Sequence, residues 1–95
     1  MTEFDRETAL DLMKARLNRL PEDTALDDYF RALIEAEAEA LEGTGIHLNY
    51  SARDTQLIVN HVVFAYSNRD KNEPVPDWLR LQRRERWLQE RRAGT

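Results

Sequence analysis

The chain of 95 residues is long enough for one small domain and too short for a two-domain enzyme. It contains no cysteine, which excludes disulfide scaffolds, thiolate metal sites and cysteine nucleophiles. Its formal net charge of −4 is unevenly distributed, because residues 1–50 carry −7 and residues 51–95 carry +3. This polarity predicts a molecule whose two ends prefer different partners.

The first residues and the apolar runs predict a protein that does not enter a membrane. The N-terminal segment lacks the basic and apolar regions of a secretory signal. No uninterrupted apolar run approaches the roughly 20 residues that a membrane span requires. We therefore expect a soluble protein with no membrane partner.

Apolar residues at helical spacing predict the first two helices. The first helix is expected at about residues 6–18, with Asp5 as its N-cap. The second helix has the clearest amphipathic pattern in the chain, and Thr24 with Asp27 resembles a capping box at its start. Gly43 is expected to supply the left-handed residue that closes this helix.

Two further helices follow in the second half of the chain. Ser51 and Asp54 form an S-x-x-D cap for a third helix that continues to about Asn68, and apolar side chains cover most of its circumference. Such a helix is usually central in a fold. After a polar loop, Asp77 can cap a last helix that extends to about Arg92. The prediction is a single all-α domain spanning the whole chain, a small bundle of about four helices with a central apolar third helix and a basic C-terminal helix.

The acidic second helix does not have the pattern of a metal or catalytic site. Glu35, Glu39 and Glu42 lie near one another at i, i+4 and i+7, but no His stands three residues after any Glu, as bundle metal sites require. A solvated face is the simpler interpretation, because unpaired carboxylates are costly to bury, and the same face could meet a basic neighbour. His47 is predicted in a loop and His61 at a core edge or interface, with one satisfied nitrogen.

Sequence signals of nucleophiles and phosphate loops are also missing. No Ser stands between glycines as in a nucleophile elbow. The segment Gly43-Thr-Gly45 is too short for a phosphate loop and lacks the following Lys. We therefore expect no catalytic residues, no cofactor and no metal ion, and a protein that is not an enzyme.

The C-terminal helix has the most chemical content, because it combines two tryptophans with six arginines. The arginines could bind phosphates, an acidic protein surface or water, and Trp and Arg are the residue types most enriched in interface hot spots. The two tryptophans are nine residues apart, which places them about 180° apart on a helix. One can fill the core, and the other then needs a partner. The candidate partner-binding residues are Trp78, Arg80, Arg83, Arg84, Arg86 and Trp87.

Several short segments stand in a recognisable order along the chain. They are Asp23-Thr-Ala-Leu-Asp-Asp-Tyr, Ile34-Glu-Ala-Glu, Leu41-Glu-Gly-Thr-Gly-Ile-His-Leu, Asp54-Thr-Gln-Leu-Ile-Val, Phe64-Ala-Tyr-Ser-Asn-Arg-Asp and Pro76-Asp-Trp-Leu-Arg. This order, which extends from about Ala9 to Leu88, resembles the head-tail connector, or head-completion adaptor, family of long-tailed bacteriophages and prophages.

The resemblance implies a small helical protein of the virion that is made in the bacterial host cytoplasm and assembles at the head-tail junction. It implies a ring of copies that docks on the phage portal protein, extends the DNA channel and presents a surface to the next neck or tail-completion protein. The resemblance implies no catalytic residues in this chain. In related adaptors the C-terminal region engages the portal, which corresponds here to the helix from Asp77 to Arg92.

The charges of the chain agree with this implication. A subunit with opposite charges in its two halves is suited to head-to-tail contacts around a ring. We expect the face of Glu35, Glu39 and Glu42 to lie nearer to the packaged DNA than the arginines, because tight phosphate binding would stall the passage of DNA. The alternative function is a small helical nucleic-acid-binding module that uses the same arginine-rich C-terminal helix.

Overall fold

The computed structural model describes residues 6–49 and 51–93, which form four α-helices. They are α1 (Arg6–Arg16), α2 (Asp27–Gly43), α3 (Ala52–Ser67) and α4 (Asp77–Ala93). No strand occurs within these residues. The predicted all-α bundle of about four helices is therefore confirmed, while Asp5, the predicted N-cap of the first helix, lies outside the described residues.

Helix α3 is central in the bundle, as its apolar circumference predicts. It packs against α1, α2 and α4, whereas α4 packs against no described helix except α3. Leu57, Ile58 and Val59 are each at most 1% exposed, and three successive buried residues require neighbours on several sides of a helix. The remaining core residues are Ala9, Leu10, Met13, Phe30, Ile34, Leu41, Ile46 and Val62.

Helix α1 ends two residues earlier than predicted, at Arg16, because the chain turns at Asn18. Asn18 has a φ of 59°, the left-handed conformation that Asn tolerates better than most residues. Before the turn, in α1, the buried Lys14 ammonium donates to the Pro21 carbonyl at 3.0 Å and lies 3.0 Å from an Asp27 carboxylate oxygen. This one amine ties the end of α1 to the start of α2.

Two predicted features at the ends of α2 are wrong. The N-cap is Leu26, which makes no side-chain hydrogen bond, so Thr24 and Asp27 do not form a capping box. Gly43 is the last helical residue, and the left-handed conformation falls two residues later, at Gly45, with a φ of 100°. Glycine is needed there because a side chain is strained at this φ.

The predicted cap of α3 is confirmed. Ser51 Oγ accepts a hydrogen bond from the Asp54 amide at 3.1 Å. Asp54 is only 1% exposed, and its Oδ2 accepts from the Asn49 amide at 2.9 Å. A carboxylate in this position also needs a cation, because one hydrogen bond does not offset the hydration lost on burial.

Arg86 of α4 supplies this cation. Its Nε lies 2.7 Å from Asp54 Oδ1, and its Nη2 donates to Asp54 Oδ2 at 3.2 Å. The same Nη2 donates to the His47 carbonyl at 2.7 Å. The guanidinium therefore joins α4 both to the first turn of α3 and to the connector between α2 and α3.

Other polar contacts attach the second half of α4 to the same connector. The Trp87 indole N–H donates to the Thr44 carbonyl at 2.9 Å, and the His47 amide donates to a Glu90 carboxylate oxygen at 2.5 Å. Leu79 is the only fully buried apolar side chain in the described part of α4. The helix is thus held in place mainly by hydrogen bonds and one buried ion pair.

Replacing Arg86 by Met should destabilise the fold by about 3 kcal/mol, because Asp54 then stays buried without its cation. Met is chosen because it keeps the apolar stem of the side chain. The free energy of unfolding in urea measures this loss. The double variant Asp54→Leu/Arg86→Met should recover much of it, since no buried ion is then left unpaired.

The control for this experiment is Arg80→Met, which removes the exposed partner of Asp77 and should change stability little. Equal losses for Arg86→Met and Arg80→Met would contradict the structural role of the Asp54–Arg86 ion pair.

Candidate protein-interaction site

The first half of α4 presents two large apolar side chains to solvent. Trp78 is 55% exposed and Leu81 is 59% exposed, whereas Leu79 is fully buried. Trp78 and Leu81 are three residues apart, so they lie on the same side of the helix. We call this pair, together with the neighbouring Arg80 and Arg84, the α4 face. Exposed apolar surface bordered by charges is typical of protein-interaction sites.

A groove of about 500 Å³ runs along the α4 face and is lined by Asp77, Arg80, Leu81, Arg83 and Arg84. Arg80 donates to Asp77, which is the first residue of α4 rather than its predicted cap. Arg84 is exposed and has no hydrogen-bond or ion-pair partner among the described residues. Its guanidinium is therefore available to an anionic group of a partner.

Two other predicted contact residues turn inward. Arg86 is 9% exposed, and its hydrogen bond with Asp54 raises the pKa of Arg86. Trp87 is half-buried against the core, and the Arg91 guanidinium lies 4.9 Å from the centre of its ring, within cation–π distance. Both side chains make contacts within their own fold, so Trp78, Arg80 and Arg84 are the members of the predicted set that are exposed to a partner. Leu81, which was not predicted, completes the α4 face.

The predicted acidic residues lie on α2, apart from the arginines. Glu39 and Glu42 are exposed, whereas Glu35 is half-exposed and accepts a hydrogen bond from Arg6. Glu39 has no hydrogen-bond or ion-pair partner among the described residues. Since α2 and α4 do not pack against each other, the structure does not bring these acids to the α4 face of the same chain.

A partly buried cluster of ionisable side chains joins α2, α3 and α4 and was not predicted. Its members are Glu37, His61 and Arg83, one from each helix. His61 Nδ1 lies 3.6 Å from a Glu37 carboxylate oxygen, too far for a hydrogen bond, and His61 Nε2 is buried without a partner. His61 is 6% exposed, which agrees with its predicted position at a core edge. The sequence does indicate that Glu37 faces the core. It stands three residues after Ile34 and four before Leu41, and both of these apolar residues are buried.

Burial controls the protonation of this cluster. Burial, and to a smaller extent the charge of Arg83, lowers the pKa of His61 to about 4. Burial also raises the pKa of Glu37, although the charge of Arg83 opposes this shift. His61 is thus neutral at neutral pH. The cluster is a structural feature of the junction between the three helices.

The described residues contain no arrangement of metal ligands. Within residues 6–49 and 51–93, no three His, Asp or Glu side chains are grouped so that they could hold a metal ion. None of the helices described is long and apolar enough to cross a membrane. His47 lies in the connector between α2 and α3, as predicted, with its side chain 89% exposed.

The free energy of unfolding should fall when the pH is lowered from about 7 to about 5. The contribution of His61 to this loss should be about 1–2 kcal/mol. The pKa of His61 is about 4 in the fold against its ordinary value of 6.5, so the unfolded chain takes up this proton first. Glu37 acts in the opposite direction in acid, because its raised pKa means that the folded state holds the proton more tightly.

Urea unfolding at several pH values tests this prediction. The variant His61→Gln should lose less stability than the wild type between about pH 7 and pH 5, and Glu37→Gln should lose more. Parallel profiles of unfolding free energy against pH for the wild type and His61→Gln would contradict the assignment of this pH dependence to His61.

Comparisons with known proteins place this chain in no family. It matches no protein-family model, no curated protein and no solved structure. The resemblance to head-tail connectors therefore rests on the order of its sequence segments, and the chemistry of a binding site must be argued from the α4 face.

Proposed function

We propose that this protein is a structural assembly protein at the head-tail junction of a bacteriophage or prophage. It forms a ring that docks on the portal protein, extends the DNA channel and presents a surface to the next neck or tail-completion protein. The observation that carries this proposal is the α4 face, where the exposed Trp78 and Leu81 stand beside two arginines. This face lies in the region that engages the portal in the adaptors that the sequence resembles.

The composition of the α4 face favours a protein partner. Covering each of its two apolar side chains would contribute about 1–3 kcal/mol to binding. Trp and Arg dominate the hot spots of protein interfaces, and here they occur within two turns of one helix. A partner that covers Trp78 and Leu81 and offers a carboxylate to Arg84 would meet all the groups of this face.

The attachment of α4 supports the same proposal. Arg86, Trp87 and Glu90 fix the second half of the helix to α3 and to the connector before it. The first half is then presented in one orientation. Because the face is held in place before the partner arrives, binding does not have to order the helix, and this raises affinity.

The charges of the molecule argue against DNA as the partner of the α4 face. Arg80 is already paired with Asp77, and Arg83 is half-buried beside Glu37 and His61, which leaves Arg84 as the exposed groove arginine without a partner among the described residues. Binding to duplex DNA usually requires several phosphate contacts, and the chain as a whole carries −4. The groove is better suited to the separate carboxylates of a protein surface.

The wild-type protein should co-sediment with the portal protein encoded in the same phage or prophage genome, and electron micrographs of the mixture should contain rings at one end of the portal. The variant Trp78→Ala/Leu81→Ala/Arg84→Ala should bind at least about tenfold more weakly. A matched control is Leu20→Ala/Arg53→Ala, which removes an exposed leucine and an exposed arginine outside the α4 face and should bind normally.

Two results would contradict the proposal. Absence of portal binding by the wild type would refute the assembly function, and unchanged binding by the triple variant would exclude the α4 face. Binding of the protein to duplex DNA is measured as a further test. If the protein bound DNA with a log–log salt slope near −0.9 for each neutralised phosphate, the nucleic-acid-binding alternative would be favoured instead.

A further inference from the structure

Arg83 lies between the groove along the α4 face and the interior of the fold. It lines this groove, and it is half-buried. Its charge lowers the pKa of His61 and opposes the rise in the pKa of Glu37, so the guanidinium lies close to both groups. Arg83 therefore belongs both to the groove and to the cluster behind it.

The hydrogen-bond donors of Arg83 are not used within the described part of the chain. A guanidinium has several N–H groups, and none of those of Arg83 donates to a described residue. Arg86 differs, because its guanidinium donates twice to the carboxylate of Asp54. Burial has removed part of the water around Arg83 without supplying a protein acceptor. An anion that reached this side chain would restore the missing hydrogen bonds.

The other charged residues of the groove favour the entry of an anion. Arg84 is exposed and also has no partner among the described residues. Arg80 pairs with Asp77, which also lines the groove, so this carboxylate is already neutralised. Three arginines and one aspartate give the groove a formal charge of +2, whereas the whole chain carries −4. The groove is a positively charged site on a negatively charged protein.

Helix geometry allows Arg83 and Arg84 to reach the same anion. They are consecutive residues, so their side chains leave the helix about 100° apart, on two sides of the direction in which Arg80 points. Long arginine side chains can converge across this angle over the groove, which has a volume of about 500 Å³. A carboxylate has two oxygens and can accept hydrogen bonds from two guanidinium groups at once.

We infer that the groove receives a carboxylate side chain of the portal protein, which accepts hydrogen bonds from both Arg83 and Arg84. The inference rests on the proposed function, because it names the group of the portal that this groove recognises. The stem of the portal side chain lies against Leu81, and the portal surface around it covers Trp78. A single carboxylate suits the groove better than duplex DNA, which presents a row of phosphates to several cations.

Portal binding by groove variants tests this contact. Arg83→Gln and Arg84→Gln should each weaken binding about tenfold, because each removes charge-assisted hydrogen bonds to the carboxylate. Two residues that hold the same group are coupled, so the loss in the double variant should differ at least about threefold from the product of the two single losses. Arg83→Lys keeps the charge without the guanidinium geometry and should recover only part of the binding.

The matched control is Arg53→Gln, which removes an exposed arginine outside the groove and should bind the portal as the wild type does. Binding of Arg83→Gln as tight as that of Arg53→Gln would overturn the inference. Single losses that multiply in the double variant would also overturn it, because the two arginines would then contact separate groups.

The alternative role of Arg83 is to balance the charge of Glu37 within the fold. The variant Glu37→Gln/Arg83→Gln separates the two roles, because it removes both charges from the cluster. Its stability in urea should stay close to that of the wild type, while its binding to the portal should remain about tenfold weaker. Recovery of full portal binding in this variant would overturn the inference.

An experiment without the portal tests the groove itself, with acetate as the probe. In nitrogen-15 spectra, the side-chain Nε–H signals of Arg83 and Arg84 should shift with acetate and reach half of the full change at about 0.1 M, a weak Kd that suits one small anion. Sodium chloride at the same ionic strength should not cause these shifts, and the signal of Arg53 should respond equally to both salts. Equal responses of Arg83 to acetate and chloride would exclude a carboxylate receptor.

Failure of this inference can be distinguished from failure of the proposed function. If the wild type and Arg83→Gln bind the portal equally well, the adaptor function stands and the carboxylate contact is wrong. If acetate shifts both arginine signals but the wild type does not bind the portal, the groove is a carboxylate receptor, and both the adaptor function and the portal as its partner are wrong.

Discussion

The buried ion pair between Asp54 and Arg86 is the interaction on which the position of α4 depends. Nine of the 17 residues of α4 are charged, and Leu79 is its only fully buried apolar side chain among those described. Apolar packing alone would hold such a helix weakly. The two hydrogen bonds of Arg86 to Asp54, with a third to the His47 carbonyl, fix it instead to the cap of α3 and to the connector before it.

A buried ion pair determines orientation more than it adds stability, because desolvation offsets much of the attraction between its charges. The orientation of α4 decides which of its side chains lie at the surface. The planar guanidinium of Arg86 meets Asp54 in a two-point contact, so α4 cannot rotate about its axis without breaking it. With Arg86 turned inward, helical periodicity places Leu81 about 140° from it, facing away from α3, and Trp78 about 80° from it, at the side of the helix.

Local and periodic features of the fold could be predicted from the sequence, whereas features that depend on docking could not. The Ser51 cap of α3 was predicted correctly because its hydrogen bond joins residues three positions apart. The end of α2 was predicted two residues too early, because two glycines stand there and the path of the connector to α3 decides which of them becomes left-handed. Arg84 and Arg86 look alike in the sequence, and only the position of Asp54 in the fold separates the exposed arginine from the buried one.

The arrangement of α4 reverses the usual division of a surface helix, which buries apolar groups and exposes charged ones. An arginine lies inside, and a tryptophan and a leucine lie outside. The hydrogen bonds of Arg86 offset its burial within the chain, but no described part of the chain covers the outer faces of Trp78 and Leu81. Contact with another molecule would remove the cost of leaving Trp78 and Leu81 in water, and the proposed assembly function would supply that contact.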